Sequence, residues 1–264
     1  MNDPLERIAS YCYNWQGSQY VLEKFGGDIF VRSQFPKVHE RLMGTTKLSV
    51  NGTSATFGKR AVPSGEFFRS ERPVLEDLLS NLEPTDVFWD VGADKGLYTC
   101  LSAKQLSSGT VVAFEPHPIR GGELFRNLKR NGLNVSIERI ALSNDEGTAD
   151  FGYEIAPTDG NSDLTVRTAT GDSIIDAGSV LPPNVLKIDV EGAEYEVIEG
   201  LKSTLNRRDC RLVYCELHDI GNRGFEGSEE AVRSTLKELA FDVSSISTRI
   251  GDGWTQPFIK AEKH

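Results

Sequence analysis

The sequence predicts an α/β fold, a mostly parallel sheet with helices on both faces, and three observations lead there. The stretch Val87 to Cys100, VFWDVGADKGLYTC, runs from an apolar strand through a glycine-bracketed turn into a helical segment. From that point apolar strands of four to seven residues alternate with amphipathic helical segments as far as Ala240, the pattern of parallel strands joined by crossover helices. Phe241–Ile250 and Trp254–Ile259 then face each other across Gly251-Asp252-Gly253, a closing antiparallel hairpin. At 264 residues the chain buries a sizeable core. Its 38% hydrophobic and 26% charged content is that of an ordinary globular protein.

In order along the chain, residues 1 to about 45 place Leu5, Ile8, Tyr11, Cys12 and Trp15 at helical spacing, a leading helix or two. Leu48 to Phe57 alternates about Asn51-Gly52, a strong hairpin signal. Arg72-Pro73 opens a helix through Leu75, Leu78, Leu79 and Leu82. Residues 1–80 therefore read as an extension, a lid or an interface by analogy with similar folds, and residues 81–264 as the ligand-binding domain. In that domain the expected segments are strands Val87–Val91, Val111–Phe114 and Val135–Ala141, with helices from Leu97 and around Glu123–Asn131. Ser143–Ser173 breaks the rhythm as short strands and loop. Strand Val185–Val190, helix Tyr195–Leu205, strand Arg211–Leu217 and helix Glu229–Ala240 follow.

Asp90, Gly92, Asp94 and Gly96 form the turn after the first core strand, where backbone N–H groups meet a nucleotide-like ligand. The next strand ends in Glu115, placed to accept hydrogen bonds from both hydroxyls of a ribose. The dinucleotide pattern G-x-G-x-x-G is absent. A ligand with a ribose and no phosphates fits better, and S-adenosylmethionine is the commonest. His117, in FEPHP, is expected to lie exposed beside that loop rather than to hold a metal.

The segments DVGADKGLY, FEPHP, NLKRN, ALSN and above all KIDVEGAEYEVIEG resemble the FkbM family of S-adenosylmethionine-dependent methyltransferases, from about Asp86 to His218. The resemblance implies a class I (Rossmann-like) methyltransferase domain with a seven-stranded sheet. It also implies adenine contacts from the turn holding Ser143, and an acceptor hydroxyl on a sugar, glycan or secondary metabolite. Asp94 stands where the family usually carries Asn; its carboxylate is suited to the cationic sulfonium or ammonium of the cofactor.

Lys187, Asp189 and Glu191 alternate along the fourth core strand, so an extended chain sends all three to one side. A central strand should be apolar on both faces, so these ions need partners or solvent; for Lys187 a structural ion network and a catalytic part are equal readings. Glu216 and His218 end the next strand on one face, near Asp189. An alcohol must lose a proton as it is methylated, and His218 and Asp189 are the candidate bases. Asp189, Glu191 and Glu216 also make a hard-oxygen set of the magnesium type, the less favoured route.

The net charge of −10 argues against a sequence-independent nucleic-acid surface and against anionic lipid. Met1–Ser10 holds no apolar run of the signal-peptide kind, and no stretch approaches the ~20 apolar residues that span a bilayer. The four cysteines lack C-x-x-C or framework spacing, which fits buried thiols in a reducing cytoplasm. Two other functions share part of this pattern. A nicotinamide-dependent dehydrogenase would need the missing third glycine, and a catalytically silent binding module would be marked by loss of Asp90, Gly92 or Glu115, all present.

Overall fold

The computed structural model describes residues 44–61, 65–151, 164–218, 229–251 and 254–264. The leading helices expected before residue 45 lie outside them. In chain order the elements are β1 (Thr45–Val50), β2 (Thr53–Gly58), α1 (Gly65–Asn81), β3 (Val87–Val91), α2 (Leu97–Gln105), β4 (Thr110–Phe114) and α3 (Pro118–Asn131). Next come β5 (Ser136–Glu138), β6 (Ala141–Leu142), β7 (Gly147–Phe151), β8 (Leu164–Ala169), α4 (Gly171–Asp176) and β9 (Val185–Ile188). The chain finishes with α5 (Glu194–Glu199), α6 (Lys202–Leu205), β10 (Leu212–Glu216), α7 (Glu229–Glu238), β11 (Asp242–Gly251) and β12 (Trp254–Glu262).

Seven strands form the main sheet in the order β11-β12-β10-β9-β3-β4-β5. The five from β10 to β5 run parallel, and β12 and β11 close the edge antiparallel, as the sequence predicts. The chain moves outward from β3 through β4 to β5, then returns to the other side of β3 with β9. The strand order therefore reverses between β3 and β9, and a crevice opens at their carboxyl ends, where open α/β sheets bind ligands. One face of the sheet packs Phe88, Val111 and Tyr214 against α1, α2 and α3 through Val74, Leu78, Leu101 and Leu124. The other packs Trp89, Phe114, Leu186 and Ile188 against Val197, Ile198, Leu205 and Leu236. Both faces are covered, which is why the central strands read as continuous apolar runs.

The β1–β2 hairpin turns on Asn51 (φ 49°) and Gly52 (φ 82°), the two positive-φ residues that a tight hairpin of right-handed twist requires. It docks on α3, whose Asn131 accepts the Thr56 N–H (2.8 Å) and whose Asn127 accepts the Gly58 N–H (3.2 Å). These are two asparagines of the NLKRN segment. Among the described residues no helix is long and apolar enough to cross a membrane.

Four expectations are corrected. Helix α1 begins at Gly65, not at Arg72-Pro73, and carries Pro73 inside it. Proline removes one main-chain donor, but Phe68 and Glu71, which packing draws inward, hold the preceding turns against the core. The run Val135–Ala141 is two strands, β5 in the main sheet and β6 in a separate sheet of order β6-β8-β7. The helix over Tyr195–Leu205 breaks at Gly200, where a Cβ would lie 1.9 Å from the Ser143 carbonyl oxygen. Strand β9 ends at Ile188, two residues short of Val190, because the chain turns through Glu191 (φ 59°) and Gly192 (φ 115°).

Candidate active site

A cavity of about 500 Å³ opens at the carboxyl ends of β3, β4 and β9, within the range of small-molecule sites. Its walls include Gly92, Asp94, Tyr98, Glu115, Ser143, Lys187, Asp189 and Glu191. Asp90 is not among them: it lies fully buried behind the wall. Gly92 has φ 77°, and a Cβ there would come within 1.8 Å of the Asp189 carbonyl oxygen. The glycine thus lets β3 and β9 meet at the point where strand order reverses. Gly96 (φ 87°) approaches Leu124 in the same way, seating α2 against α3. Both glycines answer first to protein packing, and the turn they shape is the floor of the cavity.

Glu115 is 3% exposed, and each of its carboxylate oxygens is engaged by the main chain. The Asp94 N–H donates to Oε2 (2.7 Å) and the His117 N–H to Oε1 (2.8 Å). Burial pushes its carboxyl up to about 7, against the pull of the His117 N–H and of Arg120. A carboxylate aimed by two backbone donors keeps further lone pairs for two vicinal hydroxyls, while Phe114, Ile140 and Leu142 supply an apolar slot beside it. A ribose with an attached base fits this wall. Asp94 adopts φ 45°, the left-handed region that Asp and Asn tolerate best, so the Asp-for-Asn difference keeps the turn. Its side chain faces Arg120 (3.6 Å) and Lys95 (3.8 Å).

His117 is buried, not exposed as expected. Its Nδ1 accepts the N–H groups of Ile119 (3.2 Å) and Arg120 (3.4 Å), capping α3 ahead of Pro118. Extended backbone before a proline is what an N-cap needs. Burial holds the imidazole below its ordinary value, as a neutral cap requires.

Lys187 is the hub of the acidic end. Its Nζ lies 3.0 Å from Asp189 Oδ2, 3.6 Å from Asp90 Oδ1 and 3.1 Å from the Gly92 carbonyl oxygen, and 5.1 Å from the Tyr98 ring centre. Burial disfavours the ammonium, but Asp189 and Asp90 together raise its pKa above the ordinary lysine value. Asp90 takes the Thr99 hydroxyl on Oδ2, while Oδ1 has no hydrogen-bond donor among the described residues. Glu216 is also buried, and burial together with Asp189 raises it to about 8, although His218 and Lys187 oppose this.

His218 comes to the same cluster. Its Nδ1 pairs with Glu194 Oε1 at 2.8 Å, and Nε2 lies 3.4 Å from Glu191 Oε2 and 3.9 Å from Asp189 Oδ1. Burial works against the imidazolium, yet the Glu194 hydrogen bond and the surrounding carboxylates raise it to about 9. Through Nε2 it thus meets Asp189 and Glu191, both of which line the cavity. The cluster therefore assembles as expected, although Glu191 arrives through a turn and not along an extended strand. Ligand atoms of Asp189, Glu216 and His218 lie within 4.8 Å of one another, a set that replaces Glu191 by His218. Lys187 Nζ already lies 3.0 Å from Asp189 Oδ2, and His218 Nδ1 is 2.8 Å from Glu194 Oε1.

Sequence reading missed Glu194, Glu71 and Tyr98. Glu194 accepts the Gly192 N–H (3.0 Å) as well as pairing with His218, so it shapes the turn and aims the imidazole. Its signal was the third acid of KIDVEGAE, at the start of a helix. Glu71 accepts the Tyr98 hydroxyl, and both line the cavity. The signal for Glu71 was a carboxylate at helical spacing among Phe68, Leu75 and Leu78, a core-facing stripe.

The sequence description of the FkbM methyltransferase domain matches residues 90–243. The hexuronic acid methyltransferase AglP of Haloferax volcanii is 34% identical over 158 residues, 57% of this chain and 63% of that protein. The match thus spans less than two thirds of that relative's length. The 31-O-demethyl-FK506 methyltransferase FkbM of Streptomyces tacrolimicus is 25% identical over 178 residues, 53% of this chain and 68% of that one. Among solved structures, the precorrin-6y C5,15-methyltransferase of Geobacter metallireducens is 15% identical with a TM-score of 0.48, over 79% of this chain and 95% of that one. With the domain matched over more than half of its length, the chain belongs to the FkbM family of methyltransferases.

Proposed function

We propose that this chain is an S-adenosylmethionine-dependent O-methyltransferase whose acceptor is a hydroxyl of a sugar, glycan or secondary metabolite. The observation that carries the reading is Glu115, a buried carboxylate aimed by two backbone N–H groups at a cavity with an apolar slot beside it. When bound, the cofactor supplies a methyl group on a sulfonium, so its leaving group is already activated. The protein's part is to align the acceptor and to take its proton. His218, aimed by Glu194, is the proposed base; Asp189, on the wall, orients the acceptor or the imidazole; Lys187 holds Asp189 in place. The names of the relatives, one acting on a hexuronic acid and one on 31-O-demethyl-FK506, support a carbohydrate or small-molecule acceptor. The excess of acidic residues supports an acceptor other than nucleic acid. Cys100, Cys210 and Cys215 are free and buried, which supports a reducing, cytoplasmic setting.

Calorimetry with S-adenosylhomocysteine and with NAD tests the cofactor. The first is expected to bind and the second not; the reverse result would replace the methyltransferase by a dehydrogenase. Glu115→Ala is expected to weaken S-adenosylhomocysteine by about 1–3 kcal/mol, since the ribose hydroxyls lose a charged acceptor. Turnover is expected to survive a chelator, because the cations of the acidic cluster are the protein's own; loss of activity restored by magnesium would show a metal at Asp189, Glu216 and His218.

A further inference from the structure

We propose that the Thr168 hydroxyl hydrogen-bonds the edge of the cofactor's base remote from the ribose, so that the small sheet β6-β8-β7 completes the base slot. The inference rests on the methyltransferase reading above and adds a specificity residue to it. Strand pairing places the hydroxyl. The Glu115 N–H donates to the Glu138 carbonyl oxygen at the end of β5 (3.0 Å), and the chain passes through Ile140 directly into β6. Ala141 of β6 then pairs with Thr168 of β8, and Leu142 with Ala169. Thr168 therefore lies on the side of the cavity where Phe114, Ile140 and Leu142 form the apolar slot, one strand beyond Ala141. With the ribose at Glu115, a base attached to it enters this slot and turns its far edge to β8.

One face of the small sheet closes the slot. Val166 and Thr168, two residues apart on β8, point to one side. Both line the cavity and are buried, at 7% and 8% exposed, while their neighbours Thr165 and Arg167 are exposed. Ala149 of β7 pairs with Val166 and continues the wall, and Gly147 pairs with Thr168. A Cβ on Gly147 would lie 3.7 Å from Thr168 Oγ1, so the glycine leaves that oxygen uncovered. Among the described residues the Thr168 hydroxyl has no hydrogen-bond partner. Burying a hydroxyl in that state is destabilising, whereas a valine of the same shape would carry no such cost. Ser143 is no substitute for it. Its N–H donates to the Ala169 carbonyl oxygen (3.0 Å), and its hydroxyl is directed at Asn144 Oδ1 (3.3 Å) and Asp145 Oδ1 (3.4 Å). The far edge of adenine carries an amine donor beside a ring-nitrogen acceptor, and a hydroxyl, with one donor and two acceptor sites, can pair with either.

Three ligands, measured by calorimetry, test the assignment. They are S-adenosylhomocysteine, its 1-deaza analogue, in which a C–H replaces the ring nitrogen of the far edge, and its 6-deamino analogue, which lacks the amine there. The native protein is expected to prefer S-adenosylhomocysteine over at least one analogue by about 2–12-fold, the range for one neutral hydrogen bond. Thr168→Val, which keeps the shape and removes the hydroxyl, is expected to erase that preference. Thr168→Ser, which keeps a hydroxyl, is expected to retain it. Equal weakening of all three ligands by Thr168→Val would reduce the residue to a structural role and overturn the proposal. An unchanged preference in that variant, or native protein that binds all three alike, would overturn it too. Native protein that binds none of the three would instead remove the cofactor reading itself.

Discussion

Lys187→Met is expected to destabilise the protein by about 3–5 kcal/mol at neutral pH, the cost of leaving a buried carboxylate without its partner. That is a large share of the roughly 5–15 kcal/mol by which folded domains are stable. Asp90 is fully buried, its Oδ1 has no hydrogen-bond donor among the described residues, and the Lys187 ammonium 3.6 Å away is its counter-charge. Burial already raises the Asp90 carboxyl above its ordinary value of 3.8, and Lys187 is the main influence holding it down. Without the lysine the folded state binds a proton that the unfolded chain releases. The penalty therefore grows as pH rises above the ordinary aspartate value and shrinks in acid. Urea unfolding across pH measures this, and Asp90→Asn placed on Lys187→Met is expected to recover part of the loss. A single variant as stable as the native protein would show that the pair is dispensable.

His218→Ala is expected to lower turnover about 10²–10⁴-fold, the range for loss of a general base, while leaving S-adenosylhomocysteine affinity nearly unchanged. The base must be neutral to accept a proton, and burial, which favours that form, is outweighed by Glu194, Asp189 and Glu191, which bring the imidazole to about 9. The rate is therefore expected to climb with pH through about 9. Asp189→Asn, which removes one of the raising charges, is expected to move that limb to lower pH. The same group links stability to pH. Its folded value of about 9 exceeds the ordinary 6.5, so its contribution is complete below the latter and is lost as pH rises through the former. His218→Ala is expected to lack that slope. Full turnover in the variant would assign the proton to another group, with Asp189 the first to test.

What the sequence by itself determined is whatever local periodicity and turn chemistry encode. Asn51-Gly52 specified a hairpin because two adjacent positive-φ residues fit little else. The apolar runs of β3, β4, β9 and β10 announced a sheet covered on both faces, and Glu115 after the second of them lies in the cavity wall. Local pattern also misled, where it was read as continuing. Val135–Ala141 looked like one strand, but its last residues pair in a different sheet, and no local feature states which partner a strand will find. Lys187, Asp189 and Glu191 suggested one extended face, yet the chain turns at Glu191, because Glu194 and Gly192 close a loop there. Only the tertiary structure decided that Gly92 is needed for the Asp189 carbonyl, that His117 caps a helix, and that Glu71 meets Tyr98 in the cavity. Each depends on elements brought together across the sheet from far apart in the chain. Such contacts are set by packing and strand order, which hydrophobic spacing along one segment does not encode.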